Sequence, residues 1–139
     1  MKFMILVKAN KASEAEVMPT EDQLAEMATY HEELATAGVL IDGSGLHASS
    51  KGWRIRYTGD TRTVIDGPFA ETKELIAGYT IISVKSRQEA LDWSKRYPNP
   101  AGRGVECEIE VRQMFDLDDF EQGDAIERFR KLEQEEKKR

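Results

Sequence analysis

The chain has 139 residues and a mass of 15.8 kDa, with 40% hydrophobic and 33% charged residues, the length and apolar content of one domain with one core. Its 20 lysines and arginines against 26 aspartates and glutamates leave a formal charge of −6, which argues against a protein that coats nucleic acid or an anionic membrane. One cysteine, Cys107, rules out an internal disulfide, and two histidines, His31 and His47, are too few for a structural zinc site; a reducing cytoplasm and no metal or cofactor are the expectation.

Phe3-Met4-Ile5-Leu6-Val7 is apolar at every position, the pattern of a central strand covered on both faces. Flanked by Lys2 and Lys8, it is too short for a signal-peptide core or a spanning helix, so neither export nor membrane insertion is expected. Thr20 and Gln23 fit a capping box, and Leu24, Met27, Ala28, Leu34 and Ala35 recur at helical spacing before Gly38, which predicts an amphipathic helix over 20–37. Val39–Ile41 then leads into Asp42-Gly43-Ser44-Gly45, read as a flexible turn.

Trp53–Tyr57 and Thr63–Ile65 flank Gly59-Asp60, a hairpin signature, with Trp53, Ile55 and Tyr57 on one face and Arg54 and Arg56 on the other. After the Asp66-Gly67-Pro68-Phe69 turn, Ile76–Val84 reads as a strand. Ser86 to Glu89 is a second capping-box candidate for a helix over about 87–96. Val105 to Arg112 alternates strictly, which predicts a strand with Val105, Cys107, Ile109 and Val111 facing a core. The order β-α-β, ribbon, β-α-β is that of an α+β ferredoxin-like sandwich with an antiparallel sheet and an inserted β-ribbon. One sheet face carries no helix in this layout, so a second copy is expected to cover it.

His31 falls on the stripe that the first helix should bury, where a ring either finds hydrogen-bond partners in the core or lines a cleft as a general acid or base. Tyr30, Glu32 and Glu33 are adjacent but point elsewhere on the helix. Asp66-Gly67-Pro68 is turn chemistry, with Asp bonding the following amides and Gly accepting positive φ; Glu71, Lys73 and Glu74 behind it make either a solvated loop or a loop that grips a substrate. Arg54 and Arg56, joined by Arg62, either solvate a strand face or hold a carboxylate or phosphate. Gly43-Ser44-Gly45 lacks the setting of a dinucleotide fingerprint, and Ser44, Ser49 and Ser50 belong to no nucleophile elbow.

The run Asp66-Gly67-Pro68-Phe69-Ala70-Glu71-Thr72-Lys73-Glu74 followed by Gly78-Tyr79, with Ala37–Leu40 leading to Gly43-Ser44-Gly45-Leu46, resembles the YCII-related family, in the branch named for its DGPF motif. The resemblance covers residues 1–115. It implies a dimeric α/β-barrel assembly and an active-site histidine and aspartate, which here fall on His31, one turn beyond the family position at Met27, and on Asp66. With Arg54, Glu71 and Lys73 as substrate-binding residues, a cofactor-independent enzyme performing acid/base chemistry on a small anionic metabolite is expected. Some relatives in this branch look like partners of, or fusions to, extracytoplasmic-function sigma factors, which implies the alternative of a regulatory module in transcription initiation.

Residues 116–139 hold nine acids and six bases, half of the chain's net charge in 24 residues. Apolar residues at Phe120, Ile126, Phe129 and Leu132 predict a charged C-terminal helical extension there.

Overall fold

The computed structural model describes residues 1–138. Strands β1 (Lys2–Lys8), β2 (Leu40–Gly45), β5 (Ile76–Ser83) and β6 (Ile109–Gln113) form one antiparallel sheet in the order β2-β5-β1-β6. That order is the ferredoxin-like arrangement expected from the element sequence, and β1 is interior as its apolar run requires. Between β2 and β5 the chain makes a separate two-stranded ribbon of β3 (Trp53–Thr58) and β4 (Thr61–Asp66), turning at Gly59, whose φ of 59° suits the hairpin. Of the four α-helices among the described residues, α2 (Glu21–Thr36) and α3 (Arg87–Lys95) supply the core, whereas α1 (Lys11–Glu14) and α4 (Asp124–Lys137) bury no residue.

The core joins Phe3 and Ile5 of β1 and Ile82 of β5 to Tyr30 and Leu34 of α2 and Ala90 of α3, with Val39 and Val84 closing its ends. Both helices therefore pack on the sheet face that carries Ile5. The capping box that starts α2 forms as the sequence predicts: Gln23 N–H donates to Thr20 Oγ1 at 3.2 Å, and Thr20 N–H donates to Gln23 Oε1 at 2.8 Å. The second forms only in part, because Glu89 reaches back to the Lys85 amide while Ser86 accepts from Glu89.

Three local expectations are corrected. Asp42-Gly43-Ser44-Gly45 is the outer half of β2, not a flexible turn, because Gly43, Ser44 and Gly45 pair with Thr80, Tyr79 and Gly78 of β5. Residues 105–108 are not strand: pairing with β1 begins at Ile109, Val105 is exposed, and only Ile109 and Val111 pack against the core. On α2 the buried side chains are Tyr30 and Leu34, with Leu24, Ala28 and Ala35 exposed. The helix is rotated so that Tyr30 packs edge-on against Trp93 and Tyr97, and its hydroxyl donates to the Trp93 carbonyl at 2.7 Å.

The C-terminal extension contains α4, which Arg130 ties to the preceding turn by an ion pair with Asp118, while its pair with Glu127 lies within the helix. Its last residue, Arg139, lies outside the described residues. No helix among the described residues is long and apolar enough to cross a membrane.

Candidate functional site

The two residues that the family resemblance pairs do not meet within the chain. His31 is half-buried between α2 and β5. Its Nδ1 lies 2.8 Å from the Met27 carbonyl, which only accepts, so in the neutral ring Nδ1 carries the proton and Nε2 accepts from Thr80 Oγ1 at 2.9 Å. Thr80 is buried, and burial pushes the nearby Tyr97 hydroxyl above its ordinary pKa. Gly43 closes this pocket, since a Cβ there would lie 3.3 Å from His31 Nε2. Both ring nitrogens of His31 thus have hydrogen-bond partners.

Asp66 ends β4, opposite Trp53, and is exposed. Among the described residues no hydrogen bond or ion pair joins it to His31, nor does its carboxylate bond the following amides. Glu71 and Lys73 are likewise exposed, and their side chains have no bonded partner among the described residues. Arg56 shares a ribbon face with Arg54, whereas Arg62 lies across from Tyr57 and covers its ring at 5.0 Å. Cys107 lines a shallow cavity of about 240 Å³ with Tyr97 and Ile109 instead of entering the core.

A different set of side chains converges beside the Asp66–Phe69 turn. The loop between β2 and β3 contains a short 3-10 turn, Ser49–Lys51, and the Asp66–Phe69 turn docks on it: Gly67 N–H donates to the Gly52 carbonyl and Phe69 N–H to Ser49 Oγ, each at 3.0 Å. Gly67 lies so close that a Cβ would sit 1.8 Å from the Ser49 carbonyl oxygen. Close backbone approach, not the positive φ expected from turn chemistry, is what demands glycine there.

The junction leaves a cleft of about 360 Å³ with His47, Ser49, Lys51 and Arg54 at its walls and Leu46, Phe69, Leu75 and Ile76 among its apolar lining. Arg54 stacks its guanidinium 3.8 Å over the Phe69 ring and enters no ion pair among the described residues.

The third side of the cleft comes from the segment after β1. A capping box between Asn10 and Ser13 starts α1, which delivers Glu14 to the loop. Ser49 donates its amide N–H to Glu14 at 2.8 Å and its hydroxyl to the same carboxylate. Two residues on, the Glu16 carboxylate meets His47 Nδ1 at 3.0 and 3.1 Å, Lys51 Nζ at 3.3 Å and the Ala48 amide at 3.4 Å. These donors, the His47 hydrogen bond first, hold Glu16 below the usual carboxylate range against a smaller opposing effect of burial. Among the described residues nothing bonds His47 Nε2.

Of this site the sequence reading named only Arg54 and the turn. His47, Ser49 and Lys51 sit in an aperiodic loop, and their carboxylate partners lie 31 to 35 residues upstream. The one local signal was a histidine and a lysine four residues apart in a polar stretch between two strands.

The YCII-related domain matches residues 1–115 of this chain. An uncharacterized protein of Rhizobium meliloti (strain 1021), R00369, is 30% identical over 79 residues, 57% of this chain. The match spans 64% of that relative's length. Among solved structures, 5-chloro-2-hydroxyhydroquinone dehydrochlorinase from Burkholderia phenoliruptrix AC1100, in complex with 2,5-dihydroxybenzoquinone, is 16% identical with a TM-score of 0.42, covering 83% of this chain and 94% of that one.

Proposed function

The chain belongs to the YCII-related family, and from that premise we propose that it is a small enzyme of the DGPF-motif branch that performs acid/base chemistry on a small anionic metabolite. The observation that carries this reading is the convergence of His47, Lys51 and Arg54 on one cleft against the Asp66–Phe69 turn. Imidazole is the side chain that gains and loses a proton near neutral pH, so His47 is the proton-transfer group. Lys51 and Arg54 hold the anion, Arg54 from a guanidinium already oriented by Phe69. Leu46, Leu75 and Ile76 offer an apolar surface to the carbon skeleton. Proton transfer, elimination or isomerisation needs no more than these groups.

The test is a screen of small carboxylates and phosphates for thermal stabilisation, followed by mass spectrometry for turnover. A true ligand should bind Arg54→Ala about tenfold or more weakly, the effect of removing one charge-assisted contact. A ligand that binds wild type and Arg54→Ala alike would place the working site elsewhere.

A second reading is favoured by the ribbon, whose face opposite Arg54 exposes Trp53, Ile55, Tyr57 and Val64. A two-stranded ribbon is marginal by itself, and such a face suits a protein partner, either a second copy of this chain or a sigma factor. Light scattering at micromolar concentration tests the first and co-purification with a co-expressed sigma factor the second. A monomer that recovers no sigma factor would remove this reading.

A further inference from the structure

We propose that residues 11–18 form a displaceable strap whose Glu16 carboxylate occupies an anion-binding position beside the cleft, on the His47 and Lys51 side chains that line it, and that the ligand group it yields to is a carboxylate. The inference rests on the cleft being the working site.

Three donors of one loop, His47 Nδ1, Lys51 Nζ and the Ala48 amide, converge on this one side chain, both of whose oxygens face Nδ1. That donor set is a receptor for a two-oxygen anion, and Glu16 fills it from within the chain.

The backbone indicates why a glutamate stands there. Helix α1 ends with Val17 N–H donating to the Ala12 carbonyl and Glu16 N–H to the Ser13 carbonyl, the paired bonds of a Schellman ending. The residue after the cap in such an ending takes a left-handed conformation and is usually glycine. Here it is Glu16, with φ of 57°, the one positive-φ residue other than glycine among the described residues. A β-carbon in that region costs on the order of 1 kcal/mol. The local fold would be more stable with glycine, so the side chain, not the backbone, accounts for the glutamate.

The contact is also built to release. His47 and Lys51 remain 70% and 59% exposed at their side chains. Exposed ion pairs of this kind contribute little, so a ligand that also reaches Arg54 competes effectively. Val17 and Met18 beyond Glu16 are exposed, whereas Glu14 stays tied to half-buried Ser49, which leaves the strap one firm attachment and one exchangeable one. Displacement seats the ligand's carboxylate on His47 Nδ1 and Lys51 Nζ, which leaves the His47 Nε2, bonded by nothing among the described residues, as the nitrogen that moves a proton.

The test follows the His47 ring resonances by NMR as sodium acetate, or separately inorganic phosphate, is titrated into wild type, Glu16→Gly, Glu16→Gln and Lys51→Met. Glu16→Gly relieves the left-handed strain and keeps the strap's length; Glu16→Gln keeps the backbone and removes only the charge. Both should bind acetate about threefold to fivefold more tightly than wild type, the worth of an exposed ion pair, and Lys51→Met should bind weakly or not at all. Acetate binding that shifts His47 equally in wild type and both Glu16 variants would overturn the strap and leave the cleft standing. Tightening for phosphate alone would overturn the carboxylate assignment. No shift of His47 by either ion in any variant would remove the cleft reading and the strap together.

Discussion

Replacing His47 with asparagine is expected to reduce turnover of a substrate found by the screen by about a hundredfold to ten-thousandfold, while changing its affinity only a few fold. The range is that of a positioned general acid or base. Asparagine places an amide N–H near the position of Nδ1, so the contact that now goes to Glu16 at 3.0 Å can still be made. It cannot gain or lose a proton near neutral pH, so a binding role survives the change and a proton-transfer role does not. Comparing kcat with KM separates the two, since loss confined to kcat marks an interaction made only in the transition state. Equal losses in His31→Asn and retention in His47→Asn would return the chemistry to α2. The geometry opposes that outcome, because both nitrogens of His31 are engaged by Met27 and Thr80.

The second large effect is expected at Gly67. Gly67→Ala drives a methyl group to 1.8 Å from the Ser49 carbonyl oxygen and 2.6 Å from its carbon, contacts with backbone that no side-chain rotation relieves. The turn must lift off the 49–52 loop, with loss of the Gly67–Gly52 and Phe69–Ser49 hydrogen bonds and of the stacking that orients Arg54. Overpacking and two broken bonds together should destabilise the chain by about 2–4 kcal/mol, lowering the melting temperature by roughly 6 °C or more. Ligand binding should be lost even below that temperature. Gly45→Ala is the control, because nothing lies within 4 Å of a Cβ there, and it should melt close to wild type. A Gly67→Ala chain that melts and binds like wild type would mean that the turn does not form the cleft.

The sequence by itself determined the elements whose causes are local. The apolar run of β1, the Thr20–Gln23 capping box, the Gly59 hairpin and the β-α-β order each depend on neighbours a few residues apart, and together they specify the sheet order and the side on which α2 and α3 pack. Where a decision needed a distant partner, local pattern failed. Gly43–Gly45 lacks strand-forming side chains, yet pairing with β5 makes it strand; Val105–Cys107 alternates as a strand should but pairs with nothing. Adjacent helix positions differ by only about 100°. Periodicity put His31 on the buried stripe and Tyr30 off it, whereas the aromatic contacts of Tyr30 with Trp93 and Tyr97 give Tyr30 the deeper place.

The same limit applies to the site. Arg54 and the Asp66–Phe69 turn were legible because a guanidinium on a ribbon and a compact turn motif are local signals. His47, Lys51, Glu14 and Glu16 are ordinary polar loop residues until α1 and the loop after β2 are brought together. That meeting is decided by sheet pairing over more than 30 residues and by two carboxylates capping the same loop, and only the tertiary structure holds both facts.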